Sequence, residues 1–327
     1  LVRAVYFVAA GEEVHSAQSC AKVAQRYRAL LKKRGEDMTP STLLAGTISG
    51  LLVGGLYAVT ALGLSMVFGV MRLVNVAHGE LLLLAAYLNF TISSAWGIDP
   101  LLVALLLIPL MFLIGYPLQR WVFNPLMQRG DEPPLLAAFG LSIILQNVLL
   151  LIWKADTRAL ITGYSDQGVQ LLGVRVSLLY VIAFVLAIVL IGGMHMFVTR
   201  SYLGKAIRAS AQDASTAQVM GINPERIYAI TYAIGASTAA LGGTLIGMTF
   251  SFVPTSGLTW LLKGFVVVVL GGMGSIVGML GAGFILGVAE GIGGAIAGTG
   301  YRDMIGFLIF IIVLILRPRG LFGRSRV

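Results

Sequence analysis

Asn75-Val76-Ala77-His78-Gly79-Glu80 is the densest polar cluster inside an otherwise apolar body of sequence. An imidazole and a carboxylate two residues apart could move a proton, hold a cation or shape a polar path. Asn75 could bond carbonyls left open where a helix breaks. Glu290 sits deep in another apolar run with no lysine or arginine near it in sequence. It must be protonated, paired with a residue of another helix, or in contact with water. Lys263 poses the same question with the opposite sign. A Lys263–Glu290 pair is one solution, but nothing in the sequence supports it, and snorkelling of the ammonium to the interface is the expected one. An ionisable side chain at the centre of a bilayer costs about 2.5–3.5 kcal/mol on insertion scales, so such residues read as functional unless a structural role explains them. For His78 and Glu80 the structural role is the start of a helix at the interface, where a first-turn carboxylate suits the dipole. Asn89, Gln146 and Asn147 are expected to bond between helices.

Other chemistries are absent from the sequence. No Gly-x-x-x-x-Gly-Lys-Ser/Thr run exists to cradle a nucleotide, and no His-Glu-x-x-His to hold zinc. Cys20 is the single cysteine, which excludes an internal disulfide and a thiolate metal site. His15, His78 and His195 are too scattered to form an obvious metal site. No nucleophile–base pair is apparent, so the expectation is a protein that is not an enzyme and carries no cofactor or metal of its own.

The elements that must hold these residues are helices in a bilayer. Hydrophobic residues make up 57% of the chain and charged ones 11%, with a mean hydropathy of +0.91, against about 25% charged in a soluble domain. The apolar runs are long and do not alternate, which points to helices of roughly 20 residues and not to barrel strands. They fall at Leu43–Gly63, Leu64–Val76, Leu81–Trp96, Leu101–Val122, Leu135–Trp153, Ser177–Val198, Ile227–Phe252, Leu258–Leu270, Ile276–Ala297 and Met304–Leu316. The expected fold is all-α and polytopic, with 8–10 transmembrane helices, some broken or re-entrant. Ten crossings put both termini inside. Eight, with Leu64–Val76 and Leu258–Leu270 re-entrant, leave them there. The net charge of +9 fits the cytoplasmic Lys/Arg excess that orients such proteins. The tail (Arg317, Arg319, Arg324, Arg326) and the loop carrying Arg200, Lys205, Arg208 and Arg226 are assigned to the cytoplasm, and Lys154–Arg175 to the outside.

Two further patterns stand out. A Gly-rich broken segment followed by a helix occurs as Leu56–Asn75 with Gly79–Phe90, and recurs as Leu258–Gly274 with Gly278–Gly291. Paired interruptions of this kind point to a transport pathway near the midplane, which makes Asn75, His78, Glu80 and Glu290 its candidate residues. The Gly287–Gly291 spacing is read as close helix packing. Leu1–Asp37 differs from the rest in being charged and largely polar. It is expected to be an N-terminal extension outside the native fold, translated from a start upstream of Met38, the alternative being an amphipathic arm at Ala17–Leu31 on the membrane surface.

The loop after Arg200 carries a short helix rich in small residues, expected from about Asp213 to Met220, with Gly221 as its stop and Pro224 beyond. It has too little apolar area for a core element and suits docking into a groove on another protein.

Taken as a set, several motifs identify a family. They are Gly55-Leu56-Tyr57-Ala58, the run Ala61 to Arg72, Leu73-Val74-Asn75-Val76-Ala77-His78-Gly79-Glu80, Gly204-Lys205-Ala206-Ile207-Arg208-Ala209, Met220-Gly221-Ile222-Asn223, Lys263-Gly264-Phe265, Gly271-Gly272-Met273-Gly274-Ser275 and the tail from Leu316 to Gly323. The chain resembles the permease subunit of bacterial branched-chain amino-acid ABC importers across essentially everything after Met38. The resemblance implies a multi-pass permease domain over 38–327 in the bacterial inner membrane. It implies a complex with a second permease, homologous or identical, two cytoplasmic ATPases that bind the ATP, and a periplasmic amino-acid-binding protein. Gly204, Arg208, Asp213, Ala217 and Gly221 would then belong to the segment that couples to the ATPases. Ser215-Thr216-Ala217-x-x-x-Gly221 is a degenerate form of the Glu-Ala-Ala-x-x-x-Gly pattern of importer permeases and lacks its acidic residue. Transport by ATP-driven alternating access follows, with selectivity mostly in the binding protein. The rivals are an ABC permease for urea or short amides, and a secondary transporter using Glu80 or Glu290 as proton carrier.

Overall fold

In the computed structural model, residues 40–171, 173–317 and 320–322 are described. Leu1–Asp37, with Cys20 and His15, and Arg319, Arg324 and Arg326 lie outside them. The chain divides into two units, Leu1–Leu44 and Ala45–Val327, and the packing described below is that of the second.

The helices run in chain order as α1 (Pro40–Met71), α2 (His78–Trp96), α3 (Pro100–Pro117), a π-helical turn (Leu118–Phe123) into α4 (Asn124–Met127), α5 (Glu132–Trp153), α6 (Leu178–Arg200), α7 (Tyr202–Gln212), α8 (Ala214–Val219), α9 (Pro224–Thr249), α10 (Gly257–Gly271), α11 (Ile276–Ala297) and α12 (Arg302–Leu316). One small antiparallel hairpin, β1 (Gly168–Leu171) with β2 (Val174–Ser177), stands in the loop before α6. Side chains set several helix starts. Asp99 accepts from Leu101 N–H before α3, Asn223 from Arg226 N–H before α9, and Ser275 from Gly278 N–H before α11. Each satisfies an N–H group that has no partner within its helix.

The all-α polytopic expectation holds, and its details change. Leu43–Gly63 and Leu64–Val76 are not separate segments. Gly63 stays helical because α9 presses against it: a methyl there would lie 2.5 Å from both the Gly235 carbonyl oxygen and the Thr238 hydroxyl. The interruption falls instead at 72–77, where Arg72 takes a left-handed φ of 55°. Eight helical segments among the described residues are long and apolar enough to cross a bilayer, Pro254–Gly271 among them. His78–Trp96 is not one of these. Its polar residues lower its hydropathy, and it lies in the bundle interior, where neighbouring helices cover His78, Glu80 and Asn89.

Three glycines four apart on α1 face three on α11, Gly46 with Gly291, Gly50 with Gly287 and Gly54 with Gly283. A methyl at Gly54 would fall 2.5 Å from the Gly283 carbonyl oxygen, so the two backbones touch along this seam. The Gly287–Gly291 spacing therefore does the packing expected of it. The pairing also fixes direction. The helices α1 and α11 are antiparallel, and so are α11 and α12, where Gly293 meets Ile305 and Gly306 meets Glu290. The Ala45 end of α1 and the Leu316 end of α12 thus lie on opposite faces of the bundle. Within the described residues this corrects the expectation that both ends of the chain are inside. Gly63 against Gly235 and Thr60 against Gly242 make α9 antiparallel to α1 as well. The loop from Ser201 to Asn223 therefore shares a face with Arg317. The loop after α5 belongs to the other face, since Leu160 N–H donates to Gly247 O near the end of α9.

Candidate functional site

The two carboxylates singled out by sequence both meet α10. Glu80, in the first turn of α2, is buried, and its carboxylate lies against the α-carbon of Gly257, the first residue of α10. Its Oε2 has no hydrogen-bond partner among the described residues. Glu290, on α11, meets Lys263 two turns further along α10. The Lys263 ammonium lies 3.1 Å from each Glu290 oxygen and 2.8 Å from Oδ1 of Asp303 at the start of α12. Tyr57 on α1 completes the cluster. Its hydroxyl donates to Glu290 Oε2 at 2.6 Å and accepts from Lys263 Nζ at 3.1 Å, and the ammonium also stands 4.7 Å from the ring centroid. Trp260, between Gly257 and Lys263, packs its ring 6.4 Å from that of Tyr57.

Lys263 does not snorkel; it is 7% exposed and pairs with Glu290. The reason is local. Gly306 leaves space beside the Glu290 carboxylate, where a methyl would come within 2.7 Å of Oε1. Two charges in a poor dielectric attract strongly enough to offset desolvation only when close and further hydrogen-bonded, and Tyr57 supplies the extra bond. The cluster is asymmetric. The Lys263 and Glu290 side chains are 9% and 6% exposed, but that of Asp303 is 57%.

Asn75 and His78 sit one layer away. Asn75 donates to the Tyr232 hydroxyl at 3.1 Å, while its own Oδ1 lacks a partner among the described residues. His78 Nε2 lies 3.1 Å from Thr60 O, so that nitrogen carries the proton. Both side chains are buried, and neither joins the Lys263 cluster by a hydrogen bond. His78 and Glu80 do begin a helix, but in the bundle interior and not at the interface. Asn89 bridges helices as expected, donating to Thr244 on α9 and to Pro100 O. Asn147 instead donates to Ile143 O of its own helix.

On the opposite surface, α7 and α8 fold back beneath α6. Gly204 permits the turn, since a side chain there would strike the Phe197 and Val198 carbonyls, and Arg208 donates to Val198 O at 2.8 Å. The short helix expected near Asp213–Met220 is α8. Asp213 caps it by accepting from Ser215 and Thr216 N–H, and Gly221 ends it at a φ of 83°. Those bonds, the Ser215 hydroxyl's first and then the Thr216 hydroxyl's, hold the Asp213 carboxyl down at about 2. Ala217 is buried against the protein's own chain. The outward apolar residues are Val219 and Met220, 87% and 77% exposed. Gly204, Arg208, Asp213, Ala217 and Gly221 therefore shape the loop, and the exposure of Val219 and Met220 was not read from the sequence. Apolar residues ending an otherwise polar helix were the available signal. For Tyr57 and Asp303 there was none, because a tyrosine in an apolar helix and an acid beside Arg302 are ordinary at those places.

Known proteins give this geometry a context. A family model described as the permease component of the branched-chain amino acid transport system matches residues 46–314. The chain belongs to that family. The high-affinity branched-chain amino acid transport system permease protein BraD of Pseudomonas aeruginosa is 35% identical over 300 residues, covering 86% of this chain and 95% of its own. LivH of Escherichia coli K12, named for the same kind of system, is 32% identical over 292 residues, covering 85% and 95%. LivM of that strain, a permease protein of the same system, is 25% identical over 326 residues, covering 88% and 72%. No solved structure matches. With its eight apolar segments, the chain is a multi-pass transport permease of the bacterial inner membrane.

Proposed function

We propose that this permease carries branched-chain amino acids inward as one subunit of an ATP-driven importer. Family membership over nearly the whole apolar body carries the reading, reinforced by relatives named for that cargo. Two cytoplasmic ATPases bind the ATP and dock on the loop that presents Val219 and Met220. A periplasmic protein delivers the amino acid, and a second permease completes the pathway. Similarity to both LivH and LivM, two permease proteins of one system, favours a pair of related but distinct subunits. The chain itself is not an enzyme and needs no cofactor. Residues 38–327 form the permease domain and 1–37 an extension to it.

ATPase closure pulls on α8, and α7, packed under α6, passes the movement into the bundle. Asn75, His78, Glu80 and Glu290 lie on or beside the helices that begin or bend in the interior, and they border the path. A proton-coupled carrier needs a carboxylate free to lose and regain its proton; the Lys263 ammonium opposes that at Glu290, and Glu80 is the carboxylate such a carrier would use. The test is uptake by proteoliposomes holding both permeases and both ATPases, supplied with binding protein. Labelled Leu, Ile and Val should accumulate only with ATP inside, and urea should not. Accumulation of urea would overturn the cargo, and accumulation driven by a proton gradient without ATPases would overturn the mechanism.

A further inference from the structure

The Lys263 ammonium has two carboxylate partners that differ in kind. Glu290 is buried, accepts the Tyr57 hydroxyl and lies against Gly306, so it cannot leave without stranding a charge. Asp303 touches the ammonium at 2.8 Å, yet its side chain is 57% exposed, on a helix that buries little of its surface. A carboxylate so placed returns to water at small cost, because its attraction to Lys263 is balanced by hydration. When it turns away, the ammonium keeps Glu290 and has a hydrogen-bond donor aimed at the vacated place. Asp303 and its neighbour Arg302 are both exposed in the first turn of α12, at the end of the bundle next to the α11–α12 loop.

We infer that Asp303 holds the place of the cargo's α-carboxylate, and that Lys263 is the group that recognises this carboxylate as a free amino acid crosses. The inference rests on the amino-acid cargo proposed above. The exchange replaces one carboxylate on the ammonium by another, and the Lys263–Glu290 pair stays in place throughout. The Tyr57 ring, with Trp260 packed against it, lies buried beside the ammonium. The site is one of passage: Asp303 competes for it, which keeps the cargo from being held.

Two measurements on the complete reconstituted complex test this. The first compares ATP-driven leucine uptake in the wild type with Lys263→Gln/Glu290→Gln, which removes both buried charges and keeps hydrogen-bonding side chains of similar size. Assembly and melting temperature should stay near wild type while uptake falls at least tenfold. Lys263→Arg, which retains a carboxylate donor, should keep a substantial part of it. The second measures binding of labelled leucine to the nucleotide-free complex in detergent. Unlabelled leucine and 4-methylpentanoate should compete, leucinol should not, and Asp303→Asn should tighten leucine binding several-fold. Wild-type uptake in the neutral double variant, or competition by leucinol equal to that by leucine, would overturn the assignment while leaving the importer intact. Failure of the wild-type complex to take up leucine would remove the cargo reading and this one with it.

Discussion

At the scale of single residues the charges were legible and their partners were not. Lys263 and Glu290 are visible as isolated ions in apolar runs, but an ion pair between helices depends on facing, which spacing along one chain does not encode. Tyr57 was harder still, because its role exists only through the oxygen of a helix more than 200 residues away. Removing one member of a buried pair costs about 3–5 kcal/mol, whereas replacing both with apolar residues of similar volume is often neutral. Lys263→Met alone should therefore lower the detergent melting temperature sharply, by leaving Glu290 without a counter-ion. Lys263→Met/Glu290→Leu should recover most of the loss. Equal melting of the single variant and the wild type would show that the pair contributes nothing to the fold. A second residue-scale expectation concerns pH. Burial, then its bonds to Asp99, push the Tyr164 hydroxyl up to about 12. Because the folded value lies above the ordinary 10, this contact stabilises fully below pH 10 and is lost as pH rises through 12. Difference absorbance at 295 nm between the wild type and Tyr164→Phe should show one tyrosine titrating near 12; a midpoint near 10 would mean that Asp99 does not hold it.

Among the elements, helices were readable wherever local chemistry ended them, and misread where glycine did not. The end of α8 at Gly221 and the cap at Asp213 follow from residue type and position, so this helix was foreseen almost to its boundaries. Leu43–Gly63 and Leu64–Val76 are one helix because at Gly63 a neighbouring backbone uses the missing side chain. The same contact explains why α1 runs on to Met71. For the loop from Ser201 to Asn223, the outward position of Val219 and Met220 makes a sharper expectation than its small residues did. Val219→Ser/Met220→Ser should preserve insertion and the fold, because neither side chain packs inward, yet should lower transport per ATP hydrolysed several-fold in the reconstituted complex. Ala217→Trp should disturb the loop itself, seen as new protease cleavage between Ser201 and Asn223 before any partner is added. Normal coupling in the double serine variant would mean that the ATPases grip another surface.

For the whole molecule, the sequence revealed a membrane bundle and the two sides of its main loops, but not the sense of its first helix. Direction is carried by which glycines meet, and the basic residues flanking α1, Lys32-Lys33-Arg34 before it and Arg72 after it, do not decide it. The geometry makes a test with chemical labels direct. With Cys20 replaced by serine, Gly300→Cys, between α11 and α12, should react with an impermeant maleimide in intact spheroplasts. Val219→Cys should react only after the membrane is opened. The reverse pattern would invert the protein. The glycine seam between α1 and α11 has a consequence at the level of the gene. Every single-base change that alters the meaning of a glycine codon yields either a stop or a residue with at least a β-carbon, and a β-carbon is what Gly50 and Gly287 have no space for. No single-step, chemically mild replacement exists there, so the ordinary route of gradual substitution is closed at these positions. Change along the seam must come with a shift of one helix against the other, because the partner is already glycine and has no side chain to give up.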